Sequence, residues 1–161
     1  MQSKLHLAFY IGDKTNPSAT FMDRLVCFVT KSKFSHVELV LDKETGYSVS
    51  SSPRDGGVRY AYIDYSKNHW VLVPITVETH NPKMIIEWFN SFVGMKYDYI
   101  GAVGSVLPFN IENQYRWFCS EILTEFLRWS ALTNESFVDL KPRHVTPEDL
   151  YDYVTNQKNY F

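Results

Sequence analysis

Cys119 is the residue of this chain best placed for nucleophilic chemistry. It precedes an apolar run in which Ile122 and Leu123 recur at helical spacing, so we expect the thiol to lie in the first turn of a helix. A helix N-terminus carries partial positive charge and free N–H groups, which favour a thiolate and could stabilise an oxyanion. A buried core cysteine would show the same pattern, so the spacing alone leaves both interpretations open.

His36 lies in a segment, residues 34–41, that alternates as a β-strand does. The alternation places Phe34, His36, Glu38 and Val40 on one face of the predicted strand. A histidine that faces a cleft can deprotonate a thiol, and Glu38, two residues further along the same face, could orient the imidazole. A solvent-exposed polar face of a sheet would give the same pattern.

Four segments taken in order resemble the motifs of one family. FSHVELVL at residues 34–41 resembles "S-H-V-G-I-V", and GMKYD at 94–98 resembles "G-x-x-Y-D". WFCSE at 117–121 resembles "Y-C-S-E-L", and VTPEDL at 145–150 resembles "T-P-x-D-L". The chain is therefore similar to the circularly permuted NlpC-type papain-like proteins of the YiiX/YebB group, in which the histidine precedes the cysteine.

The resemblance implies an α+β, papain-like fold of the permuted NlpC type, with a central antiparallel sheet packed against helices that include the cysteine-bearing one. It also implies a cysteine hydrolase, an amidase or peptidase, that works through a Cys119–His36 pair and a thioester acyl-enzyme. The expected substrate is a peptide, a peptidoglycan-like or isopeptide bond, or another acyl donor. Two alternatives stay open: a thiol acyltransferase or lipid-processing enzyme of the same fold, and a catalytically silent module that binds a ligand or partner.

The residue that orients His36 is less clearly marked. Glu38 stands where the family pattern has glycine, and the following strand, residues 47–51, lacks the acidic residue often expected there. We take Glu38 as the first choice for the third catalytic residue and Ser50 as the second.

Three further residues are expected near the oxyanion or the substrate: Tyr97, Ser120 and Trp117. His144 would restore the usual cysteine-then-histidine order, but Lys-Pro-Arg-His at residues 141–144 is typical of a loop. The other histidines show no metal-ligand spacing with Cys, Asp or Glu, and no glycine-rich phosphate loop is present, so we expect neither a metal nor a cofactor.

The elements that must position these residues can be outlined from periodicity and caps. Strands are predicted near residues 5–11, 34–41, 47–51, 58–63 and 70–75, forming an antiparallel meander. Helices are predicted from Thr20, from Asn81 to Gly94, near residues 97–105, from Cys119 and from Thr146. The first of them carries an apolar stripe at helical spacing, formed by Phe21, Leu25, Phe28 and Val29, and Cys27 beside it is expected to be a packed core thiol. Nothing divides the chain, so residues 1–161 are expected to form a single domain.

Composition excludes several classes of function. The 161 residues are 45% hydrophobic and 16% aromatic, which is typical of a globular protein, and the net charge of −2 offers no basic footprint for nucleic acid. No stretch approaches the roughly 18 apolar residues that would span a bilayer, and the N-terminus lacks a signal-peptide pattern. With only two cysteines, in different predicted helices, reduced thiols and a cytoplasmic location are expected.

Overall fold

One mixed sheet with helices around it forms the fold. The computed structural model describes residues 2–78, 81, 83–104, 116–130 and 140–156. Their strands are β1 (Gln2–Ile11), β2 (Phe34–Asp42), β3 (Tyr47–Ser52), β4 (Gly57–Tyr62), β5 (Trp70–Glu78), β6 (Lys96–Tyr97) and β7 (Arg116–Trp117). Their helices are α1 (Phe21–Thr30), α2 (Lys83–Asn90), α3 (Tyr99–Gly104), α4 (Cys119–Ser130) and α5 (Pro147–Asn156), with a short 3-10 helix at Pro142–His144.

The strands lie in the order β5-β1-β2-β3-β4-β6-β7. Neighbouring strands are antiparallel except β6 and β7, which are parallel. The expected α+β class and the antiparallel centre of the sheet are confirmed. The predicted meander is wrong at β5, which pairs with β1 rather than with β4. The two-residue strands β6 and β7 were not predicted, because a strand of two residues shows no periodicity.

The main core lies between one face of the sheet and the helices α4 and α5. Leu7 pairs with Leu39 and Phe9 with Val37 across β1 and β2, and all four side chains are buried. Ile122 of α4 is fully buried in the same cluster. The alternating apolar residues of the strands therefore supply the sheet side of this core, as the period-2 pattern predicts.

A β-bulge at the start of β2 separates two side chains that we expected on one face. Tyr10 pairs with His36 and Ile11 with Phe34, so the register shifts by one residue at Ser35. As a result Phe34 lies in the core beneath the helices. His36 and Glu38 keep to the opposite face, beside their β1 partners.

Helix α1 begins as predicted but buries a different face. Thr20 and Asp23 form a capping box at its N-terminus. Phe21 and Phe28, expected to point inward, are 78% and 82% exposed, and Cys27 is the buried residue of this helix. The expectation for Phe21 and Phe28 was therefore wrong, whereas the core position of Cys27 is confirmed.

The remaining helices largely follow their predicted caps. Asn81 accepts a hydrogen bond from the Lys83 N–H at the start of α2, and Gly94 ends the segment with φ of +88°. Thr146 and Asp149 form reciprocal hydrogen bonds at the start of α5. Pro82 and most of the predicted loop at 107–116 fall outside the described residues. Within the described part of the chain, no helix is both long and apolar enough to cross a membrane.

Candidate active site

His36 and Glu38 form a direct contact along strand β2. The Nε2 atom of His36 lies 2.6 Å from Oε1 of Glu38, whose side chain is completely buried, whereas that of His36 is 14% exposed. Side chains two apart on a strand share a face, so the imidazole needs only to lean along the strand to reach the carboxylate. The first-choice orienting residue is thus in hydrogen-bond contact with the imidazole.

Arg59 of β4 holds the other side of the Glu38 carboxylate. Its two terminal nitrogens lie 2.6 and 2.8 Å from Oε1 and Oε2 of Glu38, and its Nε donates to Asp55 at 2.7 Å. Burial alone would raise the pKa of Glu38, but the positive charges and hydrogen bonds of His36 and Arg59 outweigh it and lower that pKa. The bidentate arginine therefore keeps a fully buried carboxylate ionised.

Sequence reasoning missed Arg59. The available signal was a charged residue within VRYAYI at residues 58–63, an otherwise apolar and aromatic strand segment. An arginine at such a position calls for a buried partner, because burying an unpaired charge is very unfavourable. Which partner it meets depends on the pairing of β4 with β3 and on the position of β2 beyond β3, and the sequence does not specify these distances.

The thiol of Cys119 acts on the same imidazole. Burial alone would lower the pKa of His36, but the charge of Glu38, followed by that of Cys119 and hydrogen bonds from both, raises the pKa to about 9. Nε2 is committed to Glu38, whereas the buried Nδ1 has no hydrogen bond of good geometry to a described residue. Nδ1 is therefore the ring nitrogen left for proton exchange with the thiol.

Strand β3 connects the chain that enters α4 to the part of β2 that carries His36. The pairing of β2 with β3 runs from Asp42 to Leu39, and beyond it the Val37 carbonyl accepts a hydrogen bond from the Ser50 hydroxyl. Further along β3, the Ser51 hydroxyl donates to the Trp117 carbonyl at 2.6 Å. The chain entering α4 is thus fastened to the end of β3, next to the part of β2 that carries His36.

The N-terminus of α4 is tied down on both sides. Ser120 donates its hydroxyl to the Val145 carbonyl at 2.7 Å, and the Phe118 N–H is directed at Glu121. Phe118 accepts the first hydrogen bond of the helix, from the Ile122 N–H. The N–H of Cys119 lies in the first turn of α4, where N–H groups have no acceptor within the helix. It can therefore donate to an oxyanion.

Tyr97 lies near the thiol. Its side chain is 5% exposed, and its pKa is raised well above the ordinary value by burial and then by the charge of Cys119. Its N–H donates to the Gly56 carbonyl, which fixes the position of β6 against the turn before β4. Tyr97 therefore lies close enough to Cys119 for the charge of the thiol to influence its hydroxyl.

Other predicted residues have different partners. Ser50, the second choice for the orienting residue, donates its hydroxyl to the Val37 carbonyl. The Ser120 hydroxyl donates to the Val145 carbonyl, and the Trp117 indole N–H is directed at the sulfur of Met95. His144 is exposed at the end of the 3-10 helix.

A cleft of about 310 Å³ opens beside the imidazole. His36, Glu38, Arg59 and Tyr97 contribute to its walls, whereas Cys119 does not and is only 2% exposed. The thiol is therefore buried and does not face this cleft. Among the described residues, no group of three or more His, Cys, Asp or Glu side chains is arranged to hold a metal ion.

Comparison with known proteins adds no relative. No family model matches the chain, and no curated protein matches it. The chemistry that the site can perform is therefore inferred from its own residues. They supply a thiol at a helix N-terminus, an imidazole in contact with a buried carboxylate, and backbone N–H groups in the first turn of α4.

Proposed function

We propose that this protein is a cysteine hydrolase, an amidase or peptidase, in which Cys119 is the nucleophile and His36 the base. The observation that carries the proposal is the ordered series Cys119, His36, Glu38 and Arg59. In this series Glu38 and Cys119 raise the pKa of His36, and His36 and Arg59 lower the pKa of Glu38. A surface histidine on a polar strand face would not require a buried carboxylate held by an arginine.

The reaction would proceed in two stages. In the resting pair, Nδ1 of His36 already holds the proton taken from the thiol, and the sulfur of Cys119 attacks the carbonyl carbon of the bond to be cleaved. The oxygen becomes an oxyanion that faces the first-turn N–H groups of α4, with the Tyr97 hydroxyl as a further donor. His36 then returns the proton to the leaving amine, so that a thioester remains on Cys119. Water, deprotonated by His36, attacks the thioester and releases the acid and the thiol.

The fold that we propose is the permuted papain-like one. Two features support it: the cysteine-bearing helix packs on the antiparallel sheet, and the histidine strand precedes that helix in the chain. Peptide, peptidoglycan-like and isopeptide bonds all present the carbonyl that this mechanism needs. An acyltransferase differs only in that an alcohol or amine, rather than water, resolves the thioester.

A second candidate is a ligand-binding module without catalysis. One observation favours it: Cys119 is 2% exposed and is absent from the walls of the cleft. In this alternative the cleft binds its ligand, and the thiol serves only to fill the core.

Reaction with an activated acyl ester tests the proposal. We expect p-nitrophenyl acetate to leave an acetyl group on Cys119, detectable as a mass increase on the peptide that contains it, and to release nitrophenolate continuously. Cys119→Ala should abolish both, whereas Cys27→Ala, the matched control, should abolish neither. Acetylation that is absent, or that persists in Cys119→Ala, would favour the binding module.

A further inference from the structure

The cleft beside His36 has a composition that bears on the substrate. Five aromatic side chains line it: Tyr10, Tyr62, Trp70, Tyr97 and Tyr99. Trp70 lies edge-on to His36, with ring centroids 6.4 Å apart, so the aromatic wall continues up to the imidazole. An apolar group bound against this wall would lie next to the imidazole of His36.

Aliphatic side chains from two elements complete the walls. Met22 and Val26 come from α1, and Ala61 and Ile63 come from β4 and the residues after it. Two of the large apolar side chains at this surface, Met22 and Tyr62, are 44% and 74% exposed. Exposed apolar side chains grouped around a cleft are typical of a binding site, whereas scattered ones carry no such meaning.

The ionised side chains of the cleft are already paired. Asp23 binds Arg54 at 3.0 Å, and Arg59 binds both Glu38 and Asp55. These are all the Asp, Glu, Lys and Arg side chains among the described residues that line the cleft. With His36 charged, three carboxylates face two guanidinium groups and one imidazolium, so the net charge of the cleft is zero.

This pairing distinguishes between two kinds of substrate. A peptide main chain that enters a cleft needs a partner for each N–H and C=O group, because unpaired buried polar groups are costly. Here the charged groups are occupied by one another, and Tyr99 donates its hydroxyl to the Pro53 carbonyl. An aliphatic chain needs no such partners and gains free energy by leaving water.

We propose that the cleft binds the acyl portion of the substrate, and that this portion is an uncharged aliphatic chain. The inference rests on the proposed function, since it assigns the acyl side of the bond that Cys119 attacks. It narrows the substrate from acyl donors in general to those with a fatty acyl group in amide or ester linkage.

A series of p-nitrophenyl esters tests the inference on the full chain. Complete burial of one methylene favours binding by about fourfold, so kcat/KM should rise at least ~10-fold from the acetyl to the octanoyl ester. The suberoyl monoester, with the same number of carbons and a terminal carboxylate, should lose this gain. Equal kcat/KM for the acetyl and octanoyl esters would overturn the inference and leave the hydrolase intact.

Substitutions in the cleft test whether it causes the preference for the octanoyl ester over the acetyl ester. Tyr62→Ser removes an exposed aromatic wall, and Ala61→Trp fills the cleft, so both should reduce the ratio of octanoyl to acetyl kcat/KM. Val93→Ser is the matched control, because Val93 is an exposed apolar residue that does not line the cleft. An equal effect of Val93→Ser and Tyr62→Ser on that ratio would contradict the assignment.

A binding measurement separates this inference from the proposed function. In Cys119→Ala, isothermal titration calorimetry should detect octanoate binding but not acetate binding, and Ala61→Trp should weaken it. Octanoate binding in a protein whose wild type hydrolyses no ester would overturn the hydrolase and support the apolar site. Ester hydrolysis without any octanoate binding would support the hydrolase and overturn the apolar acyl site.

Discussion

The Nε2 atom of His36 lies 2.6 Å from Oε1 of Glu38, although the two residues are only two positions apart on one strand. The same oxygen lies 2.6 Å from a terminal nitrogen of Arg59. One carboxylate oxygen therefore links the imidazole to a guanidinium that does not titrate in the physiological range. This arrangement fixes the imidazole and leaves Nδ1 for the thiol.

Substitution of Glu38 should lower activity less than loss of the base. We expect His36→Ala to lower kcat by ~10²–10⁴-fold, the usual contribution of a general base, and Glu38→Gln to lower it by less, because the imidazole remains. Steady-state hydrolysis of an activated ester measures both. Equal activity of Glu38→Gln and wild type would show that Glu38 does not orient the base.

The pH profile offers a second test of the same contact. His36 stays charged up to its pKa of about 9, so we expect kcat/KM to fall above that pH as the imidazolium that accompanies the thiolate is lost. The charge of Glu38 is the largest influence that raises this pKa, so in Glu38→Gln the falling limb should move to lower pH. An unmoved limb would contradict the electrostatic role of Glu38.

Arg59 should act on stability as well as on the site. Arg59→Met leaves the completely buried Glu38 in contact with His36 but without its bidentate guanidinium partner, and breaking a buried pair in this way costs about 3–5 kcal/mol of unfolding free energy. The double variant Arg59→Met with Glu38→Gln should regain part of this loss, since the unpaired charge is gone. Urea denaturation gives all three values, and strictly additive effects would contradict the coupling.

Ser50 provides a control for these substitutions. Its hydroxyl donates to the Val37 carbonyl, so Ser50→Ala should cost about 1–3 kcal/mol of stability by leaving a buried carbonyl unsatisfied. The pH at which kcat/KM falls should be the same in Ser50→Ala as in the wild type, because Ser50 is not bonded to the imidazole. A limb that moves in Ser50→Ala as far as in Glu38→Gln would return Ser50 to the orienting role.

Glu121 should make stability depend on pH. Burial raises the pKa of its carboxyl to about 7, against the lowering effects of the Phe118 N–H and Arg143. A raised carboxyl pKa means that the folded chain holds the proton more tightly than the unfolded chain. This contribution to stability is therefore present below pH about 4.5 and is lost as the pH rises through about 7.

Glu121→Gln should remove that dependence. At pH 8 the variant should be more stable than the wild type by ~1–3 kcal/mol, and at pH 5 the two should differ little. Thermal denaturation across this range measures the difference. Glu125→Gln, which removes a more exposed acid from the same helix, is the control and should show no such trend. A wild type that is equally stable at pH 5 and pH 8 would contradict the assignment.

The sequence predicted the elements better than it predicted their packing. Period-2 alternation and capping residues identified the five long strands and the starts of the helices, since both signals are local. On α1 the burial of Cys27 was predicted, but that of Phe21 and Phe28 was not borne out, because both side chains are exposed. Which face of a short helix is buried depends on its neighbours rather than on its own periodicity.

In the candidate site, too, the features with a local sequence signal were predicted, and those that depend on packing were missed. Cys119 at the start of α4 and Glu38 beside His36 followed from spacing, because helix position and strand face are local properties. Arg59 did not, since its contact with Glu38 joins strands that are not neighbours in the sheet. The bulge at Ser35 was equally invisible, because an irregular register arises from the pairing of two strands.

Site-resolved alkylation tests the central claim, the pairing of Cys119 with His36, most directly. Cys119 and Cys27 are 2% and 5% exposed, so accessibility alone predicts similar rates. The thiol of Cys27, however, has a pKa raised to about 12 by burial and by the charges of Asp13 and Asp23, so it stays protonated.

With iodoacetamide at pH 6–7 and mass spectrometry of both peptides, we expect Cys119 to react far faster than Cys27 in the native protein. The two cysteines should react at similar rates after unfolding. In the native protein, His36→Ala should remove most of the difference in alkylation rate between Cys119 and Cys27. Equal native rates for the two cysteines, or a Cys119 rate that His36→Ala leaves unchanged, would contradict the pairing and the hydrolase built on it.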